Sequence, residues 1–207
     1  MSSRFLAPAL ATALASPGAA MAIEKPAHEV VRRYADFEVR DYAPRVVAES
    51  EVRLPRAEAG NEGFRRLAGY IFGKNRGERR IAMTAPVAQS PGTRIAMTAP
   101  VAQAEGSPGS FVVQFTMPAS FALAALPEPL DPRVTLRQEP ARRMAVWSYS
   151  GTWSEARYEA QLARFRTALA REGLSAAGAP TWARYDPPWT PWFLRTNEIW
   201  LELAGEP

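Results

Sequence analysis

Met144-Ala-Val-Trp-Ser-Tyr-Ser-Gly-Thr-Trp-Ser154 runs directly into Glu155-Ala-Arg-Tyr-Glu-Ala-Gln-Leu-Ala-Arg-Phe-Arg-Thr-Ala-Leu-Ala-Arg-Glu-Gly173. Met144 to Ser150 has the make-up of a strand. Ser154 is a helix N-cap, Tyr158, Leu162, Phe165 and Leu169 recur at helical spacing, and Gly173 is the stop. A strand over Val134 to Gln138 precedes this unit, with Pro140 between the two strands, and strands over Thr181 to Tyr185 and Glu198 to Leu203 follow it. The same order occurs once earlier in the chain. Phe37-Glu-Val-Arg-Asp-Tyr42 and Arg45-Val-Val-Ala-Glu-Ser-Glu-Val52 alternate as strands, and Ala43-Pro44 between them predicts a hairpin, because proline cannot donate to a ladder. A helix follows, with Asn61 as N-cap, Glu62 at its positive end, Phe64, Leu67, Ala68 and Ile71 on one face, and Gly73 as stop. Two successive strand-strand-helix-strand-strand halves predict an α+β domain, an antiparallel sheet with two helices laid against it.

Between the halves lies a tandem copy. Arg80-Ile-Ala-Met-Thr-Ala-Pro-Val-Ala-Gln89 recurs as Arg94-Ile-Ala-Met-Thr-Ala-Pro-Val-Ala-Gln103. The alternation of Ile81, Met83, Ala85 and Val87, and of Ile95, Met97, Ala99 and Val101, predicts two half-buried strands joined by a turn at Pro91-Gly92, with Met83 and Met97 pointing to the interior. Phe111 to Met117 continues the sheet with Phe111, Val113, Phe115 and Met117 inward.

The chain of 207 residues has no cysteine and one histidine, His28, which excludes disulfides, thiolate metal sites and most histidine-based catalysis. Its formal net charge of +4 is weak steering for nucleic acid, and the Arg pairs at 32/33, 65/66, 79/80 and 142/143 form no continuous stripe. We therefore expect no nucleic-acid partner. Residues 1–22 read as a signal peptide: Arg4, an apolar run from Phe5 to Ala15 too short to span a bilayer, and Ala20-Met21-Ala22 as cleavage pattern. Cleavage after Ala22 leaves a mature chain from Ile23 with no transmembrane span, exported to a bacterial periplasm or secreted. Residues 23–33 are then an N-terminal extension and 34–204 the folded domain, expected as a monomer.

Gly69-Tyr-Ile-Phe-Gly73-Lys74-Asn75 lacks the spacing, the Ser or Thr and the helix start of a phosphate-binding loop. Tyr185 and Glu198 offer a phenol and a carboxylate for acid/base work. In Tyr185-Asp-Pro-Pro-Trp-Thr-Pro-Trp-Phe-Leu194, prolines stiffen a loop whose aromatics either plug the end of the sheet or wall a ligand site. His28, in a segment expected to be mobile, is a poor metal ligand unless that segment docks.

Three segments in order, Gly63-Phe-Arg-Arg-Leu-Ala-Gly-Tyr-Ile-Phe-Gly-Lys-Asn75, the Ile-Ala-Met-Thr-Ala-Pro-Val units and Tyr185 through Trp200, closely resemble the SOUL haem-binding family. The resemblance implies a distorted antiparallel β-barrel of two similar halves flanked by two helices. It also implies non-covalent binding of haem or another tetrapyrrole in an apolar pocket beside the first helix, which together with the signal peptide reads as an exported carrier or buffer. The matching positions are Phe64, Leu67, Tyr70 and Ile71, with Lys74 and Arg76 as partners for the propionates and Met83 and Met97 as neighbouring sulfur. No histidine lies in the body of the domain, so a strong axial ligand is not expected. The alternative is an enzyme that hydrolyses or modifies a small apolar molecule in the same cleft, as similar folds occur in effector-binding domains.

Overall fold

The computed structural model describes residues 24–77, 95 and 97–204. In chain order its elements are β1 (His28–Arg33), β2 (Glu38–Tyr42), β3 (Arg45–Val52), α1 (Arg56–Ile71), β4 (Asn75–Arg76), β5 (Val101–Glu105), β6 (Phe111–Thr116), β7 (Glu128–Pro129), β8 (Thr135–Glu139), β9 (Arg142–Tyr149), α2 (Glu155–Arg171), β10 (Ala176–Arg184) and β11 (Asn197–Leu203). Strands β4 and β7 pair by themselves; the other nine form one antiparallel sheet in the order β1-β2-β9-β11-β10-β5-β6-β3-β8. Apart from β1, that order is unchanged when the halves are exchanged, β2 for β8, β3 for β9, β5 for β10 and β6 for β11. The two-halves plan is thus a two-fold pseudosymmetry with β5 and β10 at its centre.

Strands β2 and β3 do not form the predicted hairpin. Strand β2 pairs with β1 and β9, and β3 with β6 and β8, so both edges of each are taken. The register Glu38↔Val146 to Tyr42↔Arg142 continues as Arg45↔Glu139 to Glu49↔Thr135. Carried through the corner it sets Pro44 opposite Pro140. The chain does not reverse at Pro44; one long two-stranded ribbon bends where its two prolines face each other, because neither can donate across the ladder. Strands β2 and β3 stand six places apart in the sheet, roughly 29 Å if it were flat. The Tyr42-to-Arg45 link spans at most about 11 Å. The sheet must therefore curl into a half-barrel.

Helix α2 matches its sequence pattern. The Ser154 side chain accepts from the Arg157 N–H, a cap that stabilises by about 1 kcal/mol. Tyr158, Leu162, Phe165 and Leu169 are buried against Phe37, Ala145, Ile199 and Leu201 of the sheet. Helix α1 begins earlier than predicted, after Pro55, and Asn61 lies inside it. Gly60-Asn61 looks like a helix start, yet the glycine is there for proximity: a Cβ on Gly60 would come within 2.9 Å of the Gln103 side chain. Gly63 is tighter still, with Val113 at 2.4 Å from the same hypothetical atom. Leu67, Tyr70 and Ile71 are buried with Val46, Ala48, Val113, Phe115 and Met117.

The tandem copies depart from expectation. The first, with Met83, lies outside the described residues. In the second the strand begins only at Val101. Before it, the Ile95 N–H donates to Ile71 O and the Ala99 N–H to Glu24 O, so the backbone is satisfied by the end of α1 and the N-terminal segment instead of a neighbouring strand. Ile95 and Ala99 are buried as predicted, but Met97 is 39% exposed. Residues His28–Arg33, expected as an extension, form an edge strand. They are mostly exposed, so no periodicity marks them. Among the described residues no helix is long and apolar enough to cross a membrane.

Close approach of α1 to β6 makes a testable demand. Gly63→Ala gains about 1 kcal/mol of helix propensity but forces overpacking that costs roughly 1–3 kcal/mol, so urea unfolding of the variant should shift to lower denaturant. Combined with Val113→Ala, the loss should be smaller than the sum of the two single losses, because the second change vacates the space the first one needs.

Candidate functional site

The second half of α1 places the residues matched to the tetrapyrrole pocket in two groups. Leu67, Tyr70 and Ile71 are core, fully buried, and the Tyr70 hydroxyl donates to Pro127 O at 2.9 Å. They cannot touch a ligand while the domain is folded. Phe64 is 39% exposed and meets Phe115 edge-on at 5.5 Å, and Phe72, which the sequence pattern did not single out, is 57% exposed. Around the helix end the chain gathers further apolar surface: Leu130 is exposed and its N–H donates to Lys74 O, and Ile95, bonded to Ile71 O, leads to exposed Met97. Lys74 is exposed, its stem laid against Gly69, and Arg76 lies 3.6 Å from Glu128. The result is an exposed apolar flank with two basic groups beside it, on the same side of the sheet as α1.

The opposite side of the sheet carries a smaller apolar cluster, Tyr42, Ala102, Met144, Val146, Ala183 and Trp200, with a buried polar network set beside it. Alternation along β11 sends Ile199 and Leu201 to α2 and Glu198 and Trp200 the other way. Glu198, 5% exposed, accepts from Arg40 Nη1 at 3.0 Å, Ser148 Oγ at 3.2 Å, Tyr185 OH at 2.5 Å and Trp200 Nε1 at 2.7 Å. Removing Arg40 would leave the buried Glu198 carboxylate without its cation, a loss of about 3–5 kcal/mol, whereas Arg40 without Glu198 keeps Glu38 at 2.8 Å. Burial and the neighbouring Glu198 carboxylate push the Tyr185 phenol far above its ordinary value. A phenol fixed as donor to a carboxylate that three other donors also hold is a brace between β2, β9, β11 and the end of β10. It is poorly set to move protons.

At the barrel end beside the Pro44 corner lies a cavity of about 240 Å³, lined by Lys25, Pro26, Pro44, Arg45, Met117 and Phe121 among others, and neither Tyr185 nor Glu198 borders it. The N-terminal segment forms one wall: Ala43 N–H donates to Ala27 O, Ala119 N–H to Glu24 Oε1, and the Lys25 ammonium sits 5.0 Å from the centre of the Tyr185 ring. His28 is docked, its ring 5.1 Å from that of Tyr42 and its Nδ1 3.0 Å from Pro26 O. It stands on the edge strand paired with β2, whereas α1 packs on β3 and β6. The aromatics of the 185–196 loop do not plug the sheet, since Trp189, Trp192, Phe193 and Leu194 are all exposed.

Burial is also the leading cause that raises Tyr42, Tyr70 and Tyr158 to about 12, and it lifts Tyr149 further. Unfolding returns these phenols to an ordinary value of about 10, so above that pH the unfolded chain has lost protons that the folded one keeps. Stability should therefore hold up to about pH 10 and fall as pH climbs towards 12. Absorbance at 295 nm followed with circular dichroism should show Tyr42, Tyr70, Tyr149, Tyr158 and Tyr185 ionising together with loss of fold. Independent ionisation of three or more of them near pH 10 in folded protein would contradict the burial described.

Comparison with known proteins agrees with this architecture. The C-terminal domain of EcmrR aligns with a TM-score of 0.56 at 11% identity, over 86% of this chain and 98% of that one. A hydrolase from Listeria innocua aligns with a TM-score of 0.57 at 11% identity, over 84% and 94%. At such identity they attest the fold alone. Heme-binding protein 2 of Homo sapiens is 27% identical over 201 residues, 93% of this chain and 92% of that protein. The family model described as SOUL heme-binding protein matches residues 23–202, which takes in both halves, both helices and every strand described above except the last residue of β11. The chain belongs to the SOUL heme-binding protein family.

Proposed function

We propose that this protein is an exported, non-covalent carrier or buffer of haem or a related tetrapyrrole, and that the macrocycle lies on the exposed flank of α1. The observation that carries the reading is the gathering of Phe64, Phe72, Met97 and Leu130 at the second half of that helix, with Lys74 and Arg76 beside them. A planar apolar ring gains by covering aromatic faces that would otherwise meet water, and several hundred Å² at roughly 25 cal/mol per Å² offsets the association cost enough for micromolar affinity. The two cations suit the propionates.

The donor set fits the macrocycle better than its iron. The chain has no cysteine, and its one histidine is on the edge strand away from α1. On the flank itself, Met97 supplies a thioether, a weak soft ligand. Bound haem would bring its own iron chemistry; what these residues do is hold the ring and meet its carboxylates. The hydrolytic alternative gains nothing from Tyr185 and Glu198, which brace the sheet from the other side.

Titration of purified protein with haemin tests this. Soret absorbance should change modestly, without a sharp low-spin spectrum. Phe72→Asp should weaken binding about tenfold while circular dichroism stays native, since the residue is exposed. Lys74→Glu should weaken it less, and the effect should shrink in high salt. His28→Ala should leave affinity within about twofold. Loss of the Soret change in His28→Ala, with Phe72→Asp and Lys74→Glu unaffected, would place the ligand elsewhere.

A further inference from the structure

The loop between β10 and β11 exposes a contiguous apolar tip: Trp189 is 82% exposed, Trp192 56%, Phe193 58% and Leu194 64%. Contiguous exposed apolar patches mark interaction sites, whereas single exposed side chains are ordinary. The loop is held out. Thr190 N–H donates to Pro187 O at 3.0 Å and Leu194 N–H to Pro191 O at 2.9 Å. The Arg195 guanidinium donates to Thr190 O at 2.8 Å and Pro188 O at 2.6 Å, and Asp186 accepts from Thr196 N–H at 2.6 Å. The ordering of the loop is thus complete before any partner arrives.

Beneath the tip the charge is positive. The guanidiniums of Arg195 and Arg184 lie 4.2 and 5.3 Å from the centre of the Trp153 ring. Trp153 donates to Asn197, whose amide donates in turn to Gly151 O, and Arg157 bonds the adjacent Ser150 O. Among the described residues none of these three arginines is paired with a carboxylate, and Asp186 is engaged with backbone.

We propose that the 189–194 tip docks on an anionic lipid surface, its Trp, Phe and Leu side chains entering the headgroup region while Arg195 and Arg157 face the lipid phosphates. Tryptophan and phenylalanine above a basic base are the chemistry of a membrane interface. A second copy of the chain is the poorer match. Four side chains of at most 150–250 Å² each, partly covered, fall short of the roughly 800 Å² per partner of a stable dimer.

Vesicle co-sedimentation and tryptophan emission decide the matter, using protein purified from one host in one processed form for every variant. Wild type should sediment with phosphatidylcholine vesicles containing phosphatidylglycerol, with a blue-shifted emission, and several-fold less with phosphatidylcholine alone or in high salt. Trp189→Ser/Trp192→Ser and, separately, Phe193→Ser/Leu194→Ser should each weaken sedimentation by about tenfold with circular dichroism unchanged. The control Phe72→Ser, on the flank of α1, should sediment as wild type. The proposal is overturned if wild type ignores anionic vesicles, or if both loop variants sediment as it does. It is also overturned if light scattering shows a dimer that the loop variants dissociate, or if they alter haemin titration and leave vesicle binding intact. Haemin titration of Phe72→Asp reads the tetrapyrrole site independently, so either idea can fail alone.

Discussion

Two prolines facing each other across one ribbon determine the shape of this molecule. Pro44 and Pro140 stand opposite in a single register that runs from Glu38↔Val146 to Glu49↔Thr135. Each strand of the ribbon belongs to a different half, so bending it passes both chains from one end of the sheet to the other within two residues. Arg45, the first residue past one corner, pairs with Glu139, the last before the other, at 2.5 Å, and its guanidinium lies 5.2 Å from the Tyr42 ring and 5.7 Å from that of Trp200. The bend is therefore stapled on the same side of the sheet as the Glu198 brace. Charge is spent there on closing the half-barrel, leaving the other side to the apolar packing of the helices.

What was legible in the sequence follows from which forces leave a periodic trace. Helix α2 is amphipathic over its length and capped by Ser154, so its limits and buried face could be read directly. Strand β6 was legible from its alternation, whereas of β10 only the part from Thr181 was read, and β11 is buried on both faces and carries no apolar-polar alternation. Pairing partners were not legible, because a proline between two alternating runs marks the end of a ladder without saying whether the chain turns back or turns a corner. The start of α1 was misplaced because Asn61 has the side chain of an N-cap, whereas the helix begins after Pro55 with no side-chain cap, and Gly60 and Gly63 answer to the surface that α1 packs on, which no local pattern records. Met97 was misassigned because Pro100 and its backbone bonding partners override the alternation around it.

The exposed surface of α1 was only partly legible in the sequence. The motif from Gly63 to Asn75 pointed to α1, and the flank is there, yet Leu67, Tyr70 and Ile71 proved to be its foundation. Period 3.6 cannot separate the two, because core and flank residues alternate within a few positions along one stripe. Phe72 escaped notice since it follows the last turn, and Leu130 since it lies in a proline-rich link; only the hydrogen bond from Leu130 N–H to Lys74 O brings that link to the helix end.

Pseudosymmetry sharpens the contrast between the two helices. Exchange of halves relates α1 to α2, but the helices are used differently. Helix α2 has no glycine, and its aromatics Tyr158 and Phe165 are buried. Helix α1 carries Gly60 and Gly63 on its packing face, so its axis lies closer to the sheet and less depth remains beneath it for a large side chain. Phe64 follows directly on Gly63 and reaches Phe115 only edge-on, with part of its ring left outside. The close packing that stabilises the first half is thus what displaces an aromatic to the surface. The symmetric scaffold accounts for the fold; the break in symmetry at these glycines accounts for an apolar flank on one helix and none on the other.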